Sequence, residues 1–426
     1  MTDGLLSPPM VVPMQQAALP SWRKLLDALK SGGAGSHLLM IGFDQGVSWN
    51  TLSDQLVERV EATLLGRLRR IAGPRAVYRG TRDTFLLTLE VADDDTAISI
   101  AEHLVDVVNR AMLLEGRAVH LHSAVGIAAI DPDIDGEATL QHARIAMMEA
   151  RQAAEGGVSN FSSAMLHLID ARRDLETDLR RALSLNEFAL VFQPQYDIAS
   201  RRLTGFEALI RWPHERRGLV SPAEFIPLAE DLGLIRNIGA WVLNEACLVA
   251  RRWPADISVS VNVSPAQLGH SDFEATVENA LRIAGIDPGR LELEVTEGVL
   301  LPNDTNLIVL IERLRRLGVR FALDDFGTGY SSLAYLQRFS FDKLKIDQAF
   351  VRSAPSKANW AILRAAIGIA QALGMNTIAE GVETEDQLAL VRDAGCSQVQ
   401  GYLTGRPVSA NDATRIANVI EARSDL

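Results

Sequence analysis

The chain has 426 residues, 47% of them hydrophobic and 23% charged, with a formal net charge of −12. This is the balance of a globular protein with room for two or three domains, and its acidity argues against nonspecific nucleic-acid binding. The two cysteines, Cys247 and Cys396, lie in no metal-ligand spacing, which fits a reducing compartment without disulfides.

Residues 1–36 carry little pattern beyond a short helical stretch around Trp22 to Leu29. Ser31-Gly-Gly-Ala-Gly-Ser36 reads as a flexible joint. Met1 to Leu19 has no basic start and no long apolar stretch, so no signal peptide is expected. The most apolar segment, Ala361 to Met375, contains Arg364 and reads as an amphipathic helix. No membrane span is therefore expected, and the reading places the chain in the cytoplasm.

Strand-like Leu38 to Phe43, Thr84 to Glu90 and Val119 to Ile130 alternate with helical patterns at Leu52 to Ile71, Ile98 to Met112 and Ala138 to Ala154. That mixture predicts one α+β domain over 37–165. Over 166–186, Leu168, Leu175, Leu179, Ala182 and Leu183 recur at helical spacing among many charges. They predict a linking helix with one apolar stripe, packed on its own domain or on a partner helix.

From residue 187 to 426 short apolar runs alternate with longer helical patterns. The runs are Ala189 to Phe192, Leu203 to Ile210, Ile257 to Val261, Leu291 to Val295, Val319 to Leu323, Lys343 to Ile346, Thr377 to Ala379 and Ser397 to Gln400. Eight strands with helix-length gaps predict an α/β fold, a (β/α)8 TIM-like barrel; another closed or open α/β sheet is the alternative. The first gap, Gln193 to Arg202, is too short for a parallel crossover, which needs about a dozen residues or more. The first strand is therefore expected to run antiparallel to the second.

Nearly every strand carries a polar residue at or just beyond it. In order these are Gln193; Glu207 and Arg211; Asn262; Glu294 and Glu297; Asp324 and Asp325; Lys345 and Asp347; Glu380 and Glu383; and Gln400. An isolated Asp324-Asp325 pair could be a solvated turn, but adjacent carboxylates recurring with others at strand ends suit a cation. Carboxylates with an Asn oxygen fit Mg²⁺ or Mn²⁺. None of the eight histidines pairs with another at helical ligand spacing, which argues against zinc. The number of carboxylates exceeds the need of one ion. Two ions about 3.5–4 Å apart would clamp the oxygens of a phosphoester. Lys345 fits either a strand-end salt bridge or stabilisation of phosphorane charge. Arg211 and the glutamines suit phosphate and base edges. A barrel with two carboxylates could also be a glycosidase, but the Asp-Asp pair, Asn262 and Lys345 favour metal chemistry.

These residues resemble the EAL-domain family of cyclic di-GMP phosphodiesterases. Glu207-Ala-Leu209, inside Gly205-Phe-Glu-Ala-Leu-Ile-Arg-Trp212, is similar to the family signature. The likeness runs in order from about Leu179 to Pro407. It includes Phe192-Gln-Pro194, Pro222-Ala-Glu-Phe-Ile-Pro-Leu-Ala-Glu230, Val261-Asn-Val-Ser264, Glu294-Val-Thr-Glu297, the Asp324 loop, Lys343-Leu-Lys-Ile-Asp347, Ala379-Glu-Gly-Val-Glu383 and Gln400-Gly-Tyr402. The resemblance implies metal-dependent hydrolysis of cyclic di-GMP to linear pGpG. It implies Glu207, Asn262, Glu294 and Asp324 as ligands of one ion, and Asp324, Asp325 and Glu380 as ligands of a second. Lys345 matches the residue that contacts the catalytic water, and Glu380 has a possible base role. Gln193, Arg211 and Gln400 match substrate contacts, with Glu383 close by. Glu297 matches an anchor of the glycine loop that follows Asp325, a loop tied to dimerisation and regulation, with Gly327 and Gly329 giving it mobility. The one departure, the shifted proline in Trp212-Pro-His-Glu-Arg-Arg-Gly218, touches no ligand position.

The preceding domain resembles a GGDEF domain at Ser123-Ala-Val-Gly-Ile-Ala128 and Ala143 to Ala150. Its working residues are missing. Thr81-Arg82-Asp83-Thr84-Phe85 stands at the signature, without the glycines or the acidic metal ligand. Gly42 replaces the first metal Asp, although Asn50 is retained, and Ala72 and Arg75 replace the inhibitory Arg-x-x-Asp site. The expectation is a cyclic di-GMP phosphodiesterase with two Mg²⁺ or Mn²⁺ ions, a regulatory or dimerising degenerate GGDEF-like domain, and a homodimer. A regulatory protein partner is possible; no nucleic acid and no membrane are expected. The alternative is a non-hydrolysing cyclic di-GMP receptor acting through a protein partner.

Overall fold

The computed structural model describes residues 19–30, 36–43, 54–73, 77–81, 83–114, 117–152, 157–297, 305–326, 339–352 and 357–424. Most of the first 36 residues, the Ser31 joint, Asn50, Arg75, Arg82 and the glycine loop with Gly327 and Gly329 lie outside these residues. The chain divides into two units, Met1–Arg172 and Arg173–Leu426. No helix among the described residues is long and apolar enough to cross a membrane.

The first unit is built on β1 (His37–Phe43), which pairs antiparallel with β3 (Thr84–Leu89) and β6 (Ser123–Ala129). β2 (Val77–Arg79) and β7 (Val158–Asn160) complete the sheet, in the order β2-β3-β1-β6-β7. β1 is apolar without alternation because both its faces are covered. Leu39, Ile41 and Phe43 pack into one cluster with Val60, Leu64, Ala101 and Leu104, whereas Leu38 and Met40 pack into another with Leu25, Ala143 and Met147. Helices Asp54–Ala72, Asp94–Asn109 and Gly136–Arg151 supply these partners except Leu25, which comes from Trp22–Lys30, the short helix expected near residue 22.

Two boundaries differ from the periodic reading. The helix expected at Ile98 begins at Asp94, because the Asp93 side chain caps it by accepting from the Thr96 amide. It ends at Asn109, and Met112 starts a hairpin of β4 (Met112–Leu114) and β5 (Arg117–Val119). The run Val119 to Ile130 is split between β5 and β6, where the Asn109 side chain accepts from both the amide and the hydroxyl of Ser123.

The second unit is a closed barrel. β9 (Leu203–His214), β11 (Ser258–Asn262), β12 (Leu291–Thr296), β13 (Arg320–Phe326), β14 (Lys343–Ile346), β15 (Asn376–Ala379) and β16 (Gln398–Val399) are neighbours in that order, and β8 (Ala189–Asp197) closes the ring between β16 and β9. The pairs from β9 to β16 are parallel. β8 runs antiparallel to both neighbours, as its short connection to β9 requires. β10 (Gly218–Val220) and β17 (Val408–Ser409) extend β9 and β8 outside the ring.

Alternation on β8 and β9 sets the site. Phe192 and Phe206 are fully buried and pack on Trp253, with ring centroids 5.6 and 4.7 Å away. Burying each such ring contributes about 1.5–3 kcal/mol. Their sequence neighbours Gln193 and Glu207, paired in register, therefore point the other way, into the barrel. Helix Ser163–Ala182 buries Leu175, Leu179 and Ala182 in the same core, while Leu168 stays 66% exposed. Its Asp178 accepts from Arg216 and Arg217 of the β9–β10 hairpin, which ties that half of the helix to the barrel.

Candidate active site

Parallel strands of a closed barrel bring their C-terminal ends to one face, where alternate side chains converge. That geometry gathers Glu207, Glu294, Asp324 and Lys345 from strand interiors, and Glu380 from the residue after β15. Lys345 is the hub, with 1% of its surface exposed. Its Nζ lies 2.5 Å from Glu294 Oε2, 2.8 Å from Glu380 Oε1, 3.0 Å from Asp324 Oδ2 and 3.7 Å from Glu207 Oε1. One ammonium thus faces four carboxylates. Removing that many charges from water is costly, and one cation does not balance them.

The imbalance appears in proton affinities. Burial and then the charge on Glu207 push Glu294 well above the usual carboxyl range. Burial, opposed by Lys345 and reinforced by Asp324 and Glu207, pushes Glu380 up to about 8. Glu207 goes the other way: burial raises it, but Lys345 and hydrogen bonds from Gln400 and Asn262 outweigh that and lower it. Lys345 itself is held well above the ordinary range, because Asp324, Glu207, Glu294 and Glu380 together overcome the penalty of burial.

The Asp324-Asp325 pair is presented by a bulge. Leu323 pairs with Leu344 and Phe326 with Ile346, so β13 has one residue more than β14 between those pairs. Asp325 absorbs it at φ 55°, a conformation aspartate tolerates better than most side chains. Its amide donates to Asp324 Oδ1 at 2.9 Å, which holds the other carboxylate oxygen toward Lys345. Burial, Asp324 and Asp347 raise the Asp325 carboxyl. Behind Glu380 the chain turns at Gly381, where φ is 64° and a Cβ would lie 2.5 Å from Gln348 Cβ. Only glycine fits both conditions.

Of the remaining expected residues, Gln193, Asn262 and Gln400 join the cluster. Asn262 Nδ2 donates to Glu207 Oε1 at 2.7 Å, and Gln400 Nε2 donates to Glu207 Oε2 at 2.6 Å and Gln193 Oε1 at 3.2 Å. Arg211 follows on β9, half-buried, and donates to the Ile210 carbonyl. Glu383 is not among the groups around Lys345; it is exposed and pairs with Arg352 at 2.7 Å. Among the described residues both carboxylate oxygens of Glu297 are buried without a hydrogen-bond partner. Four polar residues escaped the strand-end reading: Gln195, Ser260, Glu292 and Lys343, all buried below the cluster. Their signal was present in the sequence, two positions before Asn262, Glu294 and Lys345 and two after Gln193, on the same strand face.

Among the described residues no group of three or more His, Cys, Asp and Glu side chains stands ready as a metal cage; the carboxylates close on Lys345. Their chemistry nevertheless fits hard divalent cations. The donors are all oxygens, negative charge is in excess, and Glu294 Oε1 is buried with no hydrogen-bond partner among the described residues.

The EAL domain matches residues 176–407. The chain is 35% identical to the bifunctional diguanylate cyclase/cyclic di-GMP phosphodiesterase MucR of Pseudomonas aeruginosa, over 84% of this chain and 52% of the relative. It is 36% identical to the cyclic di-GMP phosphodiesterase NbdA of the same organism, over 86% of this chain and 46% of the relative. The chain spans about half the length of the curated relatives it matches. A solved structure of the PaMucR phosphodiesterase in complex with c-di-GMP superposes with a TM-score of 0.54 and 41% identity, covering 56% of this chain and 99% of that one.

Proposed function

The chain belongs to the EAL-domain family, and from that membership and the site geometry we propose that it hydrolyses cyclic di-GMP to linear pGpG with the help of Mg²⁺ or Mn²⁺. The observation that carries this reading is the convergence of Glu207, Glu294, Asp324 and Glu380 on buried Lys345, with Asn262, Gln193 and Gln400 hydrogen-bonded to or beside Glu207. Glu207, Asn262, Glu294, Asp324, Asp325 and Glu380 would hold two ions, which would neutralise phosphodiester charge and make water a better nucleophile.

The chain's own groups do the rest. Gln193, Gln400 and Arg211 orient the substrate, the amides through N–H and C=O edges and the guanidinium through phosphate. Lys345 presents a fixed positive charge to the phosphorane as it gains negative charge. Water oxygen bonds to phosphorus and the bond from phosphorus to the ribose 3′ oxygen breaks. Glu380, beside Lys345 and Asp324 at the strand ends, is placed to accept the water's proton, and the 3′ oxygen takes up a proton from solvent as it leaves as a hydroxyl.

In the first unit, Arg151 supports loss of cyclase chemistry. It donates to the Phe43 carbonyl at 3.2 Å and lies 3.6 Å from Asp83, and a Cβ at Gly42 would be 2.5 Å from its Nη2. A guanidinium therefore stands beside the position where the resemblance implies a metal-binding carboxylate. The proposed organisation is a degenerate GGDEF-like domain at 37–165, a linking helix at 166–186 and the phosphodiesterase barrel at 187–426, acting as a homodimer.

The site assignment is tested by turnover of purified Asp324→Ala and Glu207→Ala proteins. Each is expected to lose about a hundred- to a thousand-fold in rate or more, the scale of removing a group that organises transition-state charge. A variant that keeps the wild-type rate would refute the assignment.

A further inference from the structure

Below the carboxylate cluster, the barrel interior holds polar groups in place of the branched aliphatics common in this architecture. Gln195 and Ser260 are fully buried, and Glu292 and Lys343 nearly so. Lys343 Nζ donates to Glu292 Oε1 at 2.7 Å and to Gln195 Oε1 at 3.3 Å. Gln195 Nε2 donates to Gln400 Oε1 at 2.9 Å, and Gln400 Nε2 donates to Glu207 and Gln193. Glu292 also accepts from Ser260 Oγ at 2.8 Å. Lys343 and Glu292 line a cavity of about 920 Å³ at the N-terminal ends of the strands. The chain of hydrogen bonds therefore runs the length of the barrel, from that cavity to the candidate active site.

A buried ion pair is weak evidence for stability, since desolvation offsets much of its attraction. Direction explains this one better. A glutamine amide can turn over with little change of shape, so its neighbours alone decide which edge faces where. We propose that Lys343 and Gln195 are positioning residues that fix the orientation of Gln400 in the active site. Lysine can only donate, so it holds the Gln195 oxygen toward itself and the Gln195 NH₂ toward Gln400. Gln400 must then turn its oxygen to Gln195 and its NH₂ to Glu207 and Gln193. An acceptor-only carboxylate at the far end closes the sequence.

The kinetic part of the test rests on the phosphodiesterase reading; the spectroscopic part does not. Gln195→Glu has nearly the same volume and keeps a partner for Lys343, which holds the new carboxylate ionised. It replaces the donor to Gln400 with an acceptor, so Gln400 is driven to turn its oxygen toward Glu207. Gln195→Met removes the donor without favouring either orientation, and Glu207 still holds the Gln400 NH₂. The expected order in kcat/KM for cyclic di-GMP is wild type, then Gln195→Met, then Gln195→Glu, the last lower by about ten-fold or more, as for one wrongly paired buried amide. The loss is expected mainly in KM, with unfolding temperatures lowered by about 2–8 °C, so that the variants stay folded under assay conditions. In protein labelled with ¹⁵N-glutamine, the side-chain NH₂ signals of Gln400 should shift in Gln195→Glu. The double variant Lys343→Met/Glu292→Leu, which leaves no buried charge unpaired, frees Gln195 while Glu207 still holds the Gln400 NH₂, so the signals should move, but less than in Gln195→Glu. Equal losses in the two Gln195 variants, or unmoved Gln400 signals in Gln195→Glu and in the double variant, would overturn the proposal. If wild type does not turn over cyclic di-GMP, the phosphodiesterase reading fails by itself, and the NH₂ signals alone decide the positioning role.

Discussion

Four carboxylates crowd the ammonium of Lys345, and their proton affinities separate accordingly. In the folded protein burial, with Asp324 and Glu207 nearby, pushes Glu380 up to about 8, against an ordinary value of 4.5. Between those pH values the native state binds more protons than the unfolded chain, so stability must fall as pH rises through that window. Glu294 and Asp325 are raised too and act in the same direction. Glu207 is lowered, so its contribution is lost only as pH falls below the ordinary carboxyl range. The unfolding midpoint of metal-free protein is therefore expected to drop between pH 5 and pH 8. Mn²⁺, which competes with those protons, should raise the midpoint more at pH 8 than at pH 5. A midpoint that rises steadily over the same range, with equal metal effects at both ends, would contradict the charge balance described. Glu207, Glu294, Asp324 and Lys345 were legible in the sequence because each is a charge lodged within or directly after an apolar run. Gln195, Lys343 and Glu292 were not found, since a reading confined to the polar residues nearest each strand end passes over the position two residues away on the same face. That distant strands gather on one lysine is a matter of closure, which no local spacing reveals.

At the scale of elements, loop length was the most informative signal. The connection from β8 to β9 is too short for a crossover, and the antiparallel pairing of Gln193 with Glu207 is its consequence. Caps were less visible: Asp93 starts its helix four residues before the apolar pattern does. The bulge at Asp324-Asp325 could not be read from β13 alone, because an extra residue exists only relative to the neighbouring strand. Gly381 belongs with these backbone features. Gly381→Ala is expected to lower stability by about 1–3 kcal/mol through strain at positive φ, with the contact against Gln348 adding to it. Urea unfolding measures this directly, and a variant as stable as wild type would mean the turn after Glu380 is not held as described.

At the scale of the whole molecule the two units differ in what they retain. The barrel keeps every residue that the EAL resemblance implies for its site, whereas in the first unit Gly42 and Thr84 stand where a GGDEF resemblance implies acidic residues, and Arg151 lies beside Gly42. The protein is accordingly expected to form no cyclic di-GMP from GTP and Mg²⁺; nucleotide chromatography showing that product would reverse the reading of the first unit. The central claim concerns the second unit and is tested most directly by product analysis. Purified full chain is incubated with cyclic di-GMP and Mg²⁺ or Mn²⁺, and the nucleotides are separated and weighed by mass spectrometry. The account predicts linear pGpG, one water heavier than the substrate, and none when the metal is chelated. Tight binding of cyclic di-GMP that returns unaltered would contradict it and identify the chain as a receptor.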